Sequence, residues 1–223
     1  MKKENVIKDV TVGTLNALVK NIMRQTEVDD AGEAIRLVNS GDYVVMLPPL
    51  LSENDGMIKC SVVSDGTTPL DWHARLKKNF QIGYNAGLVL SDNRVQSFIP
   101  TNGIATTVVI LKGKLFRRKD RTFNNVKEFA TERNMLTPNA EISCLLRENL
   151  TNDEIIAMGL RTIIIMHEPL MAPHVFGNNT YFSPYYLDIC VDSAEHGGYL
   201  SDRKADDNNP LSDDCGFAFI MQS

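Results

Sequence analysis

Near residue 160 the periodicity of this chain changes, and that change limits the folds open to it more than any other feature. Before it, apolar residues recur at helical spacing. Leu15, Leu18, Val19, Ile22 and Met23 fall at i, i+3, i+4, i+7 and i+8, one face of an amphipathic helix. A second helix is expected over 31–39, with Asp30 as N-cap, Glu33 at the capping-box position and Gly41 beyond its end. Thr68-Pro69 opens a third, with Trp72, Leu76 and Phe80 inward. Val126, Phe129 and Ala130 share a helical face. Thr137-Pro138 is expected to cap the helix of Ile142, Leu145 and Leu146. Thr151 and Glu154 form a capping box for a short helix that Gly159 ends. Strands are expected over 43–47, 57–63 and 106–111. After residue 160 no helical period remains. The run Arg-Thr-Ile-Ile-Ile-Met at 161–166 reads as a strand. Short apolar runs at 185–191, 199–200 and 216–221 follow, separated by polar, turn-rich stretches. The expected class is α+β, with a helix-rich part over 1–160 and a β-rich part over 161–223.

The chain has 223 residues, 43% of them apolar, enough for one large domain or two small ones. Its net charge of -5 argues against a dedicated nucleic-acid binder. Charge is unevenly spread. Lys112, Lys114, Arg117, Arg118, Lys119 and Arg121 make a basic segment with Phe116 and Phe123 close by. Arginines and aromatics in such a mixture can grip single strands, so a nucleic-acid or assembly contact through 112–121 stays open as an alternative. Residues 185–214 hold eight acids against two bases. No apolar segment follows the N-terminal lysines, so no signal peptide is expected, and no run is long enough for a bilayer span. A cytoplasmic location without membrane contact is the expectation. Cys60, Cys144, Cys190 and Cys215 are then expected as free thiols.

Few patterns point to catalysis. His167, Glu168 and His174 invite a metal reading. The helical zinc motif needs its histidines four apart, and here they are seven apart. A metal-dependent enzyme on these three residues is kept as an alternative, with no cofactor expected. Asp213 and Asp214 are adjacent carboxylates, and neighbours on a strand point to opposite faces.

The segments "TNDEIIAMGLRTIIIMHEP" at 151–169 and "GGYLSDRKADDNNPLSDDCGFAFIMQS" at 197–223 carry a resemblance. They are similar to a group of uncharacterised bacterial proteins, many from candidate phyla, with a "TDEEIxAMGL…MHEPI" pattern and a terminal "GFAF". The group often has Trp at the positions of Tyr199 and Leu211. The polar tract leading into Gly216-Phe217-Ala218-Phe219 also resembles the end of the C-type-lectin-like fold of variable proteins in diversity-generating retroelements. That resemblance implies a ligand-display module rather than an enzyme, with an unidentified protein or other macromolecule as partner. The contact residues it implies are Ser201, Arg203, Lys204, Asp206, Asp207, Asn208, Asn209, Ser212, Asp213 and Asp214, with Tyr199, Leu200, Leu211, Phe217 and Phe219 in support.

Overall fold

The computed structural model describes residues 23, 28, 30–39, 52–92, 98–176, 179–191, 198–206 and 209–221. The chain divides into two compact units, Met1–Pro48 and Pro49–Ser223. In the first, helix α1 is Ala31–Asn39. Asp30 caps it, its carboxylate accepting from the Glu33 amide at 2.8 Å. Glu33 itself reaches forward to Arg36 at 2.7 Å. The helix expected around Leu15 to Ile22 and the strand over 43–47 lie outside the described residues.

The second unit is built on one ten-stranded sheet. Its first half contributes β1 (Ser52–Asn54), β2 (Met57–Asp65), β3 (Gln81–Ile82), β4 (Asn102–Lys112) and β5 (Met135–Leu136). Its second half contributes β6 (Thr162–Ile165), β7 (Leu170–Phe176), β8 (Asn179–Val191), β9 (Gly198–Lys204) and β10 (Cys215–Met221). The order is β1-β2-β4-β10-β6-β8-β9-β3, with β5 against β10 and β7 against β8. Pairing is antiparallel except for β10 with β6 and β3 with β9. The composition change near residue 160 therefore falls inside a single sheet. β4 before it and β10 after it are neighbours, Ala218 opposite Ile110.

Both faces of the central strands are covered, which is why Ile163, Ile164, Ile165 and Met166 are all buried. Four helices lie on the first face: α2 (Pro69–Leu76), α3 (Tyr84–Ser91), α5 (Glu141–Asn149) and α6 (Asn152–Ala157). Trp72, Leu76, Val89, Leu145, Leu146 and Ile155 pack there on Ile163, Leu187, Leu200 and Ala218. The second face takes α4 (Phe123–Thr131), whose Phe123, Val126 and Ala130 meet Val109, Ile164, Phe217 and Phe219. Period-two alternation sends neighbours on each strand to opposite clusters. The outcome is a mixed α/β architecture with six helices and ten strands among the described residues. No helix among those residues is long and apolar enough to cross a membrane.

Local helix signals act as the sequence implies. Thr68 accepts from the Asp71 amide at 3.2 Å, with Pro69 at the first helical position. Thr151 and Glu154 form a reciprocal capping box. Thr151→Ala is expected to cost about 1 kcal/mol in a denaturant titration. The helix expected from Thr137-Pro138 starts later, at Glu141. Asn139 Oδ1 accepts from the Glu141 amide at 3.3 Å, while Ala140 is drawn into the core.

Candidate functional site

The tract singled out by sequence starts inside the sheet. β9 pairs with β8, placing Ser201 opposite Asp188 and Arg203 opposite Tyr186. Alternation divides β9 between the two faces. Leu200 is buried among the helices of the first face. Asp202 also serves that side. Gly83 precedes α3 and provides no side-chain cap. Asp202 accepts instead from the Ala86 amide at 3.3 Å and from Asn85 Nδ2 at 2.9 Å.

On the second face, Arg203 reaches across to Asp188, Nε to Oδ2 at 3.3 Å. Asp188 is 1% exposed. Burial pushes its carboxyl up to about 6, while Arg203 pulls the other way. The Cys190 thiol donates to the other carboxylate oxygen at 3.6 Å and lies 3.5 Å from Thr162 Oγ1. Burial pushes Cys190 up to about 12, assisted by the Asp188 charge. Cys215 is raised by burial as well. Thr162 pairs with Cys190 on one side and Cys215 on the other. The two cysteines thus stand two strand spacings apart, about 10 Å between their Cα atoms. That exceeds the reach of a disulfide, and all four cysteines are free thiols. Thiols held protonated at neutral pH are poor nucleophiles. The cluster of Thr162, Asp188, Cys190, Arg203 and Cys215 offers hydrogen bonds and one ion pair.

The connection from β9 to β10 runs over this same face. Ala205 and Leu211 rest on the second core. The Leu211 amide donates to the Arg121 carbonyl at 2.8 Å, and Arg121 Nη1 donates back to the Leu211 carbonyl at 3.3 Å. Gly113 sits beneath the end of the connection. A side chain there would come within 2.8–3.1 Å of the carbonyls of Ser212, Asp213 and Cys215. Lys204, Asn209, Ser212 and Asp213 are exposed; Ser201, Asp206 and Asp214 are half-buried. Asp207 and Asn208 lie outside the described residues.

Three sets of candidate residues already have partners within the fold. Arg203, expected as a contact residue, is half-buried, and its guanidinium pairs with buried Asp188. His167 cannot offer a lone pair to a metal. Its Nδ1 donates to the Glu168 carbonyl at 2.6 Å, and its Nε2 accepts from the Leu187 amide at 2.9 Å. Burial lowers it to about 4, so it is neutral. The Glu168 side chain turns to solvent beside Lys127, 3.9 Å away. His174 lies on β7 opposite Tyr181. No group of three or more metal-ligating side chains occurs among the described residues. In the basic segment, Phe116 and Phe123 are buried core residues and have no ring face for stacking a base. Lys112 pairs with Glu53 at 2.7 Å and Arg117 with Asp120 at 2.6 Å. Asp188, Cys190 and Thr162 were not legible as partners, since strand pairing alone brings them together.

No family model, curated protein or solved structure matches this chain.

Proposed function

We propose that this chain is a non-catalytic ligand-binding protein. Its binding surface is the β9–β10 connection, with Lys204, Asp206, Asn209, Ser212 and Asp213 as contact residues. In the finer form of the proposal, the C-terminal part is C-type-lectin-like and the 201–214 tract is the segment a retroelement diversifies. One observation carries the reading. The connection seats its apolar residues Ala205 and Leu211 on the core while Asn209 between them, and Ser212 and Asp213 just beyond Leu211, stand exposed. Such a segment can change its polar side chains without unseating its anchors. The protonated thiols and fully bonded His167 favour binding over catalysis.

The test is a combined variant changed at Lys204, Asp206, Asn209, Ser212 and Asp213. Each change is expected to shift stability by no more than about 0.5 kcal/mol. Leu200→Ala, at a fully buried position, should lose about 2–5 kcal/mol. A library at the five polar positions should yield binders to an immobilised target protein, with the fold retained. Unfolding of the polar variant beside a stable Leu200→Ala would sink the display reading. Sequencing codons 201–214 across a natural population addresses diversification: changes confined to adenines are expected.

A further inference from the structure

The basic segment lies against the connection that carries the acids. Two contacts hold them side by side. The Leu211 amide and carbonyl both bond to Arg121, and Gly113 packs beneath the carbonyls of Ser212, Asp213 and Cys215. Between Gly113 and Arg121 the chain makes two short 3-10 turns, Gly113–Leu115 and Arg118–Asp120. Lys114, Arg118 and Lys119 stand exposed on them. Arg117 is matched by Asp120. Lys114, Arg118 and Lys119 are in no ion pair among the described residues. Exposed Asp213 and half-buried Asp214 are in none there either. A cationic stripe thus runs beside an anionic one, and neither neutralises the other within the chain.

Charges of both signs in this arrangement select a partner. A polyanion drawn to Lys114, Arg118 and Lys119 would be repelled by the carboxylates alongside, and it would find the rings of Phe116 and Phe123 buried. The chain as a whole is also negative, at -5. A surface that itself carries the two signs side by side matches both stripes. This chain has that surface. A two-fold rotation sets the cationic stripe of one copy against the anionic stripe of the other, and every contact is made twice. Leu115, 36% exposed next to Lys114, adds apolar area to the same contact.

We propose that this surface is the interface of a two-fold symmetric homodimer, in which Lys114, Arg118 and Lys119 of each copy face Asp213 and Asp214 of the other. Exposed ion pairs are individually weak and screened by salt, so the dimer is reversible. The inference does not rest on ligand display, although the two surfaces share Asp213, and dimerisation is read without any ligand.

Sedimentation equilibrium of the full chain at pH 7.5 tests it. A monomer–dimer equilibrium is expected at about 0.1 M sodium chloride. Raising the salt to about 1 M shortens the Debye length from about 10 Å to about 3 Å and should weaken the dimer by about tenfold or more. The combined variant Lys114→Glu, Arg118→Glu and Lys119→Glu should be monomeric, and so should Asp213→Lys with Asp214→Lys. Mixed together, the two should form a heterodimer, because one then has only acidic stripes and the other only basic ones. Both variants remain net negative, so their attraction cannot come from net charge. Should Asp214→Lys prevent folding, Asp213→Lys alone replaces it, with partial recovery on mixing. A chain that stays monomeric at the lower salt overturns the interface. A dimer that neither salt nor charge reversal loosens overturns the assigned residues. Capture of a single-stranded RNA by the native chain in place of dimerisation overturns the class of partner.

Discussion

Phe217→Ala is expected to lose about 3–5 kcal/mol of stability, near the upper end for a core truncation. Phe217 is completely buried on β10, between β4 and β6. Its ring meets Phe116 edge to face, centroids 6.0 Å apart. Backbone pairing on both sides prevents the strand from moving to fill the cavity, so little relaxation can offset the loss. Phe219, 2% exposed on the same face, should behave alike. Urea titration of each variant provides the check. A loss under about 1 kcal/mol for either would show a loosely packed sheet centre and contradict the fold described above.

The second large effect concerns acid. Asp188→Asn should make stability climb by about 3 kcal/mol between pH 4 and 6.5, whereas His167→Gln should make it fall by a similar amount between pH 4 and 6. The signs come from linkage. His167 titrates near 4 when folded and at 6.5 when unfolded. Between those values the unfolded chain binds more protons, so stability rises with pH. Asp188 titrates near 6 when folded and at 3.8 when unfolded. There the folded chain binds more protons, so stability falls with pH. Each displacement corresponds to about 3 kcal/mol. In the native protein the two oppose each other over most of one window and largely cancel. Removing either exposes the other. Glutamine can keep both bonds of His167, donating to the Glu168 carbonyl and accepting from the Leu187 amide. Urea midpoints at pH 4, 5, 6 and 7 give the readout. Three parallel profiles would rule the compensation out.

What could be read from the sequence was local. The caps of α2 and α6 need only Thr68 or Thr151 and the amide three residues on, so a short window contains all of the physics. Strand pairing is different. Asp202 caps α3 from 116 residues away, and nothing near Ala86 announces it. Arg147 follows Leu145 and Leu146 in a pattern that suits an exposed cation, yet tertiary packing buries it. The acid-rich stretch 185–214 suggests a solvated face. Two of its acids are spent inside, Asp188 in an ion pair and Asp202 on a helix end. The surroundings of His167 were hidden for a similar reason: one of its partners is an amide 20 residues on, across the fold. The exposure of Asn209, Ser212 and Asp213 was legible because a polar segment with few large apolar residues has little to bury.

The central place of β10 has a consequence for how the molecule is made. β10 is translated after every other described strand, yet it alone joins β4 on one side to β6 on the other. Until it emerges from the ribosome, β4 and β6 each present an open, apolar edge, and Val108, Val109, Ile110 and Ile163, Ile164, Ile165 have nothing to close on. Folding must then await a pairing across about a hundred residues, which makes closure slow and leaves the nascent chain prone to self-association. A ribosome stalled before residue 215 would hold two sticky half-sheets, the species that a chaperone engages.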